Sequence, residues 1–257
     1  MASHRFHCAT LACGLNRLGK EETHHVAVTL RLRCGDAVVL FDGSGREGVG
    51  LVERIDRRIV SVRVSTIHER PFDVAYRITL AVAMAKAHRQ GYLIEKCTEL
   101  GVAEIWPIFA ERSVTRPDEA AVDKWSRRAI EAAKQSGRSW VPVIEKPRSF
   151  EEAVSLASGH ETAVITDPDE KGIAFLSFLA GRRPKSAILV FVGPEGGWSD
   201  AERKIAGENG IKAVRLAPAI LRAETAAVAV CAAVSLFSVG GPAGESRGKR
   251  GADDEPC

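Results

Sequence analysis

No stretch of the 257-residue chain holds the roughly 20 apolar residues that a membrane span needs. No signal peptide opens it. A membrane-embedded or secreted protein is therefore not expected. The six cysteines (Cys8, Cys13, Cys34, Cys97, Cys231 and Cys257) include no C-x-x-C pair, so neither a zinc ribbon nor a thioredoxin-type redox motif is written here. Cys97 and Cys231 sit in apolar helical patterns and read as small buried hydrophobes; a reducing cytoplasm suits this usage. His4-x-x-His7-Cys8 is dense in metal ligands but lacks a second matched pair at zinc spacing, so no metal is expected. Charge of one sign is also scarce. With 36 Lys+Arg against 33 Asp+Glu the net charge is +3, so nucleic-acid binding needs a local patch rather than a general positive field. No G-x-x-x-x-G-K-[ST] and no G-x-G-x-x-G occurs, which removes the common nucleotide-binding fingerprints. No repeat recurs at a fixed period.

What is present is a soluble composition, 45% hydrophobic and 27% charged, in a chain long enough for one large domain or two ordinary ones. Its most informative stretch is 190–239. An apolar run of strand length, Ala187–Val192, leads into Gly193-Pro194-Glu195-Gly196-Gly197, a loop whose glycines permit a sharp turn and close approach. Ser199 and Glu202 form an S-x-x-E capping box that starts a helix, stopped at Asn209-Gly210. Residues 212–217 alternate as a strand, Pro218 breaks it, and a helix begins near Ala223 with Glu224 in its first turn, where an acid suits the macrodipole. Two strands that each end in a loop feeding a helix make the usual ligand site of an open α/β sheet.

Before that stretch the pattern changes once. Residues 5–9 and Ala37–Phe41, 48–55 and 59–66 read as short strands around a possible helix at 23–30, which suggests a small barrel. Residues 68–73 read as a linker. From there strands at 74–84, 103–109 and Thr162–Thr166 alternate with helices at 92–100, Ala120–Ser136 and 150–159, and with a short helix at 173–179. Residues 86–91 read as a basic loop, and Pro107 as an interruption of its strand. This alternation predicts α/β with a mainly parallel sheet. The last residues, Gly-rich, charged and poor in apolar side chains, read as a disordered tail. The expected division is 1–70, 73–240 and a tail at 241–257.

GPEGGWSDAE followed by L-x-x-x-ILRAETA resembles the SPOUT superfamily of S-adenosylmethionine-dependent RNA methyltransferases. Within it the chain is similar to the RsmE-like bacterial enzymes that methylate N3 of a uridine in 16S ribosomal RNA. RFHC, R-x-x-CGD and LFDGSG resemble landmarks of that family's PUA-like barrel, and KAHRQGYLIEKCTELGV, Glu111-Arg112-Ser113 and EAAKQSGRSWVP resemble segments of its catalytic half. Three positions depart from the pattern. Lys134 stands where the family usually has Glu, Ala217 where it has Gly, and Ala219 where it has Arg.

The resemblance implies a C-terminal SPOUT-type, trefoil-knotted α/β domain behind an N-terminal PUA-like small β-barrel that binds RNA. It implies S-adenosylmethionine held by Thr166, by Gly193, Pro194, Glu195, Gly196 and Gly197, and by Leu216, Ala217, Ile220 and Leu221. Arg222 is the candidate for stabilising charge on the uracil oxygens and Glu224 for accepting the N3 proton, although a helix-dipole acid reads equally well for Glu224. Arg5, Arg31, Lys86, Arg89, Arg112 and Arg138 are candidate RNA contacts, each against the alternative of a solvated or ion-paired arginine or lysine. The implied partners are 16S rRNA or the small ribosomal subunit, and a second copy of the chain packed across the Ala-rich helix that starts at Ala223. No metal and no membrane is implied. A ribose 2′-O-methyltransferase and a non-catalytic RNA-binding protein are the alternatives.

Overall fold

The computed structural model describes residues 4–56, 58–168, 172–183 and 185–240. The proposed tail at 241–257 lies outside the described residues. The chain divides into two compact units. The first runs to Phe72 and takes in Ala133–Val141; the second comprises Asp73–Ala132 and continues from Pro142.

The first unit is a five-stranded sheet. Its strands are β1 (His4–His7), β2 (Gly14–Arg17), β3 (Ala37–Phe41), β4 (Arg46–Ile55) and β5 (Val60–Glu69), and a short helix α1 (Lys20–His24) runs on as a π-type turn to Leu30. The order is β1-β3-β4-β5-β2. Only β1 and β3 run parallel; the other pairs are antiparallel. Alternation explains the core: Val60, Val62 and Val64 of β5 point inward with Val38, Leu40, Phe6 and Val26. The linker expected at 68–73 begins later, because Glu47↔His68 and Arg46↔Glu69 extend the β4–β5 ladder through Glu69. Strand β2 escapes the sequence pattern. Its Asn16 is buried, accepting the Ala12 N–H at 2.9 Å and donating to Ala12 O at 2.7 Å, so a polar residue occupies a core-facing position.

Lys134 closes this core from the Ala133–Val141 segment. Its ammonium donates to Glu22 Oε2 at 2.9 Å and lies 5.8 Å from the Phe6 ring centroid. Glu47 is a second buried acid. It accepts from Arg5 Nη2 at 2.9 Å, from Arg70 Nε at 2.7 Å and from the Ser139 hydroxyl.

The second unit is a parallel sheet of β6 (Arg77–Ala83), β7 (Glu104–Phe109), β8 (Val143–Ile144), β9 (Arg148–Ser149), β10 (Thr162–Thr166), β11 (Ile173–Ala174), β12 (Ala187–Val192) and β13 (Lys212–Arg215). The order is β11-β13-β10-β12-β6-β7-β8, with β9 also on β7. Helices α2 (Ala87–Glu99), α3 (Ala120–Ser136), α4 (Phe150–Ser155), α5 (Phe175–Ala180), α6 (Asp200–Glu208) and α7 (Ala223–Gly240) connect or follow the strands. Strands buried on both faces read as continuous apolar runs, as β12 does.

Three sequence readings are corrected here. Residues 87–91 are the first turn of α2 rather than a loop; the Gln90 side chain donates to Ala85 O at 2.9 Å and ties the helix start to the segment that follows β6. Pro107 does not interrupt β7. The strand pairs with β8 at Glu104 and Ile105 and with β9 at Ile108 and Phe109, so the proline falls in the gap between two short partners, where an N–H is not required. Residues 173–174 form β11, and the helix starts only at Phe175. Both capping boxes form, at Ser149/Glu152 and Ser199/Glu202.

Candidate active site

Strands β13, β10 and β12 lie side by side and parallel, so the loops leaving their C-terminal ends converge. A cleft forms there, with about 570 Å³ of empty space counting its open mouth. Its walls come from Thr166 at the end of β10, from Gly193, Pro194, Glu195 and Gly197 after β12, and from Leu216, Ala217, Ile220 and Leu221 after β13. The floor is Ala223 and Ala226 of α7. Ile220 is 81% exposed, an apolar side chain held in solvent at the rim of an apolar cleft.

Two residues that the sequence reading passed over shape this cleft. Trp198 is fully buried, donates its indole N–H to Thr166 O at 2.8 Å, and so ties the loop after β12 to the end of β10. A Cβ on Gly193 would lie 2.8 Å from the Trp198 ring, which is why that position stays bare. Gly197 adopts φ +71°, the left-handed region that favours glycine. Asp167 is buried, lines the cleft and accepts from Arg203 Nε at 2.7 Å. That hydrogen bond holds the Arg203 guanidinium above its ordinary range. The WSD run gave only a helix start in sequence; a tryptophan beside a Gly-rich loop was the available signal.

Gly196 is not among the groups lining the cleft. Its carbonyl accepts from Arg112 Nη1 at 3.1 Å. Arg222 is exposed and also outside the lining; its carbonyl accepts the Ala226 N–H at 2.8 Å as α7 begins. Glu224 is buried in the first turn of α7. Arg89 Nη1 lies 3.1 Å from its Oε1 and 2.9 Å from Glu195 Oε1, while Glu224 Oε2 is buried without a hydrogen-bond partner. Lys86 is exposed at the N-cap of α2.

The remaining basic candidates belong to the first unit. Arg31 is exposed, with φ 53° after the π-type turn. Arg5 has only 15% of its side chain exposed and is committed to Glu47, to the Ser139 hydroxyl at 2.9 Å and to Arg138 O at 3.3 Å. Its charge is neutralised inside the domain, and Arg138 is half-buried beside it. Among the described residues no group of three or more His, Cys, Asp or Glu is placed to hold a metal, and no helix is long and apolar enough to cross a membrane.

A family model for the RNA methyltransferase domain matches residues 73–235, and one for the RNA methyltransferase PUA domain matches 18–65. Ribosomal RNA small subunit methyltransferase E of Mycobacterium tuberculosis is 33% identical over 227 residues, covering 85% of each chain. That of Synechocystis is 30% identical over 215 residues, covering 83% of this chain and 70% of the relative. The chain belongs to the ribosomal RNA small subunit methyltransferase E family. The fold agrees: methyltransferase E of Neisseria gonorrhoeae, solved bound to S-adenosylmethionine, superposes with a TM-score of 0.82 at 29% identity, covering 91% of this chain and 98% of that one. The chain thus has a PUA-type sheet in its first unit and a parallel α/β domain in its second, and the cleft lies in the second.

The cleft residues fit a nucleoside cofactor. Gly193 and Gly197 leave backbone groups open to the cleft, Leu216, Ile220 and Leu221 give an apolar wall, and Asp167 places a carboxylate residue in the lining.

Proposed function

We propose that this chain uses S-adenosylmethionine to methylate N3 of a uridine in the 16S rRNA of the small ribosomal subunit. The observation that carries the reading is the cleft at the joined ends of β10, β12 and β13, in a chain of the methyltransferase E family. When bound, S-adenosylmethionine supplies an electrophilic methyl on a sulfonium. The chain's own part is to position and to manage charge. Leu216, Ile220 and Leu221 exclude water. Residues 193–195 orient through their backbone. Uracil N3 becomes nucleophilic as its proton leaves, and charge builds on the two flanking oxygens; Arg222, exposed beside the cleft, is the cation that meets it. Glu224 takes the proton at Oε2, a buried acceptor that has no donor in the free chain.

Residues 1–70 are the RNA-binding PUA-like part and 73–240 the catalytic, SPOUT-type knotted part. The chain is a homodimer in the cytoplasm. An outer stripe of α7 supports the dimer: Ala229 and Ala232 are half-buried and Leu236 is 72% exposed, an apolar row that a second copy would cover.

The test is methylation of small subunits and of naked 16S rRNA, followed by nuclease digestion and mass mapping. A methyl on a uracil base fragment is the expected result. A methyl on ribose would make the chain a 2′-O-methyltransferase, and no binding of S-adenosylmethionine by calorimetry would leave only an RNA-binding protein.

A further inference from the structure

The loop that carries the cleft's bare backbone is held from outside by two arginines on separate elements. Arg112, in the turn after β7, donates through Nη1 to Gly196 O at 3.1 Å and to Trp198 O at 3.5 Å. The approach is close enough that a Cβ on Gly196 would lie 3.1 Å from Arg112 Cβ. The neighbouring Glu111 N–H donates to Glu202 Oε1 at 2.8 Å, while Glu202 Oε2 accepts the Ser199 N–H at 2.8 Å. One carboxylate therefore caps α6 and pins the Arg112 turn. Arg89, on α2, reaches the loop through Glu195 and in the same stroke reaches Glu224 on α7. Neither arginine lines the cleft.

We propose that Arg89 and Arg112 are positioning residues, which fix residues 195–198 before the cofactor arrives, and that they are not contacts to RNA phosphate. The inference rests on the S-adenosylmethionine reading of the cleft. A loop already in its bound form gives up less conformational freedom on binding, so its affinity is higher. Both Arg112 bonds leave the single nitrogen Nη1, which the planar guanidinium holds in place, whereas a lysine ammonium on its flexible stem fixes the carbonyls less firmly. Both arginines also have their charge directed to the protein: Arg89 to two carboxylates, Arg112 to two carbonyls.

The test uses the full chain and the variants Arg112→Ala, Arg112→Lys and Arg89→Gln. Amide hydrogen exchange across residues 195–198 is measured without any ligand, S-adenosylmethionine affinity by calorimetry, and affinity for 16S rRNA against salt. Faster exchange in each variant, about tenfold weaker S-adenosylmethionine binding and partial recovery in Arg112→Lys are expected, with RNA affinity and its salt slope unchanged. A slope that falls by about 1 in a single-arginine variant identifies a phosphate contact and overturns the proposal. Unchanged exchange overturns it as well. The exchange arm needs no cofactor, so it decides the loop's role even if the wild-type chain fails to bind S-adenosylmethionine, a result that would sink the functional reading instead. Arg89→Gln removes the charge on a separate element, α2, so it stands in if Arg112→Ala does not fold.

Discussion

Adding one methyl group at Gly193 tests how the cleft is built. The new Cβ would sit 2.8 Å from Trp198 Cε2 and 3.0 Å from its Nε1. Trp198 has no room to retreat. It is 1% exposed and packs on Phe150 with ring centroids 5.1 Å apart, and Phe150 in turn meets Phe191 at 5.6 Å. Overpacking of such a site costs about 1–3 kcal/mol. If the indole is pushed off Thr166 O, a buried N–H loses its acceptor, which costs about 1–3 kcal/mol more. At roughly 2–4 °C per kcal/mol for a domain of this size, the two costs together mean that Gly193→Ala should lower the melting temperature of the second unit by about 4–24 °C. It should also weaken S-adenosylmethionine binding, because Gly193 and Thr166 are both cleft walls. Gly197→Ala is the control. Its φ of +71° makes alanine strained, but nothing lies within 4 Å of the added atom, so the cost is about 1–2 kcal/mol. Scanning fluorimetry and calorimetric titration of the two variants give the comparison. A Gly193→Ala protein that melts no lower than Gly197→Ala would refute the close approach of Trp198.

Three further outcomes are expected. Arg222→Ala should lower single-turnover methylation by roughly 100- to 1000-fold at saturating cofactor with S-adenosylmethionine affinity near wild type; normal saturated turnover would remove Arg222 from the chemistry. Burial acts to raise the Glu47 carboxyl, but hydrogen bonds from Ser139, Arg70 and Arg5 outweigh it and hold it below its ordinary value of 4.5. Its contribution to stability is therefore complete above about pH 4.5 and is lost as pH falls through the lower folded value, so the gap in denaturant midpoint between wild type and Glu47→Gln should narrow in acid and would refute this account by staying constant. Leu236→Glu should yield a monomer by light scattering at micromolar concentration, where the unaltered chain should give a dimer mass.

The sequence was most legible where local chemistry and burial agree. Strands β10 and β12, helix α3 and the start of α7 fall at the residues that apolar runs and punctuation mark, and both capping boxes form, because Ser-x-x-Glu satisfies its own backbone donors without outside help. What stayed hidden depends on long-range partners. Strand β2 carries Asn16 inward because the residue bonds the Ala12 backbone. Pro107 is tolerated because two short strands leave a gap opposite it. At the cleft, glycine spacing pointed to the loop after β12, yet the tryptophan that holds the loop and the aspartate beside it needed the fold to bring β10 alongside β12. The basic residues were the least legible. A guanidinium reads the same in sequence whether it meets phosphate or a carboxylate 42 residues away, as Arg5 meets Glu47.

Lys134 shows what such a partner does to a departure from the family pattern. The pattern that the sequence resembles has Glu there, and substituting toward a family's usual residue often stabilises a protein. Here the opposite should hold. The Lys134 side chain is 5% exposed, its ammonium donates to Glu22 Oε2 at 2.9 Å and lies 3.4 Å from His25 Nδ1. Lys134→Glu would set two carboxylates facing each other in the core of the first unit, with the counter-charge gone. Removing one partner of a buried pair costs about 3–5 kcal/mol, and a like charge in its place adds repulsion, so the first unit should be largely unfolded or strongly acid-stabilised as one carboxyl takes a proton. The double variant Lys134→Glu with Glu22→Lys restores opposite charges and should recover much of the loss, whereas Lys134→Met, which leaves Glu22 with only the His7 N–H at 3.2 Å and His25 Nδ1 at 3.9 Å, should fall between. Urea denaturation of the three variants followed by circular dichroism decides the matter. If Lys134→Glu were as stable as the wild type, the charge at this position would have no bearing on the fold, and the pair with Glu22 would be incidental.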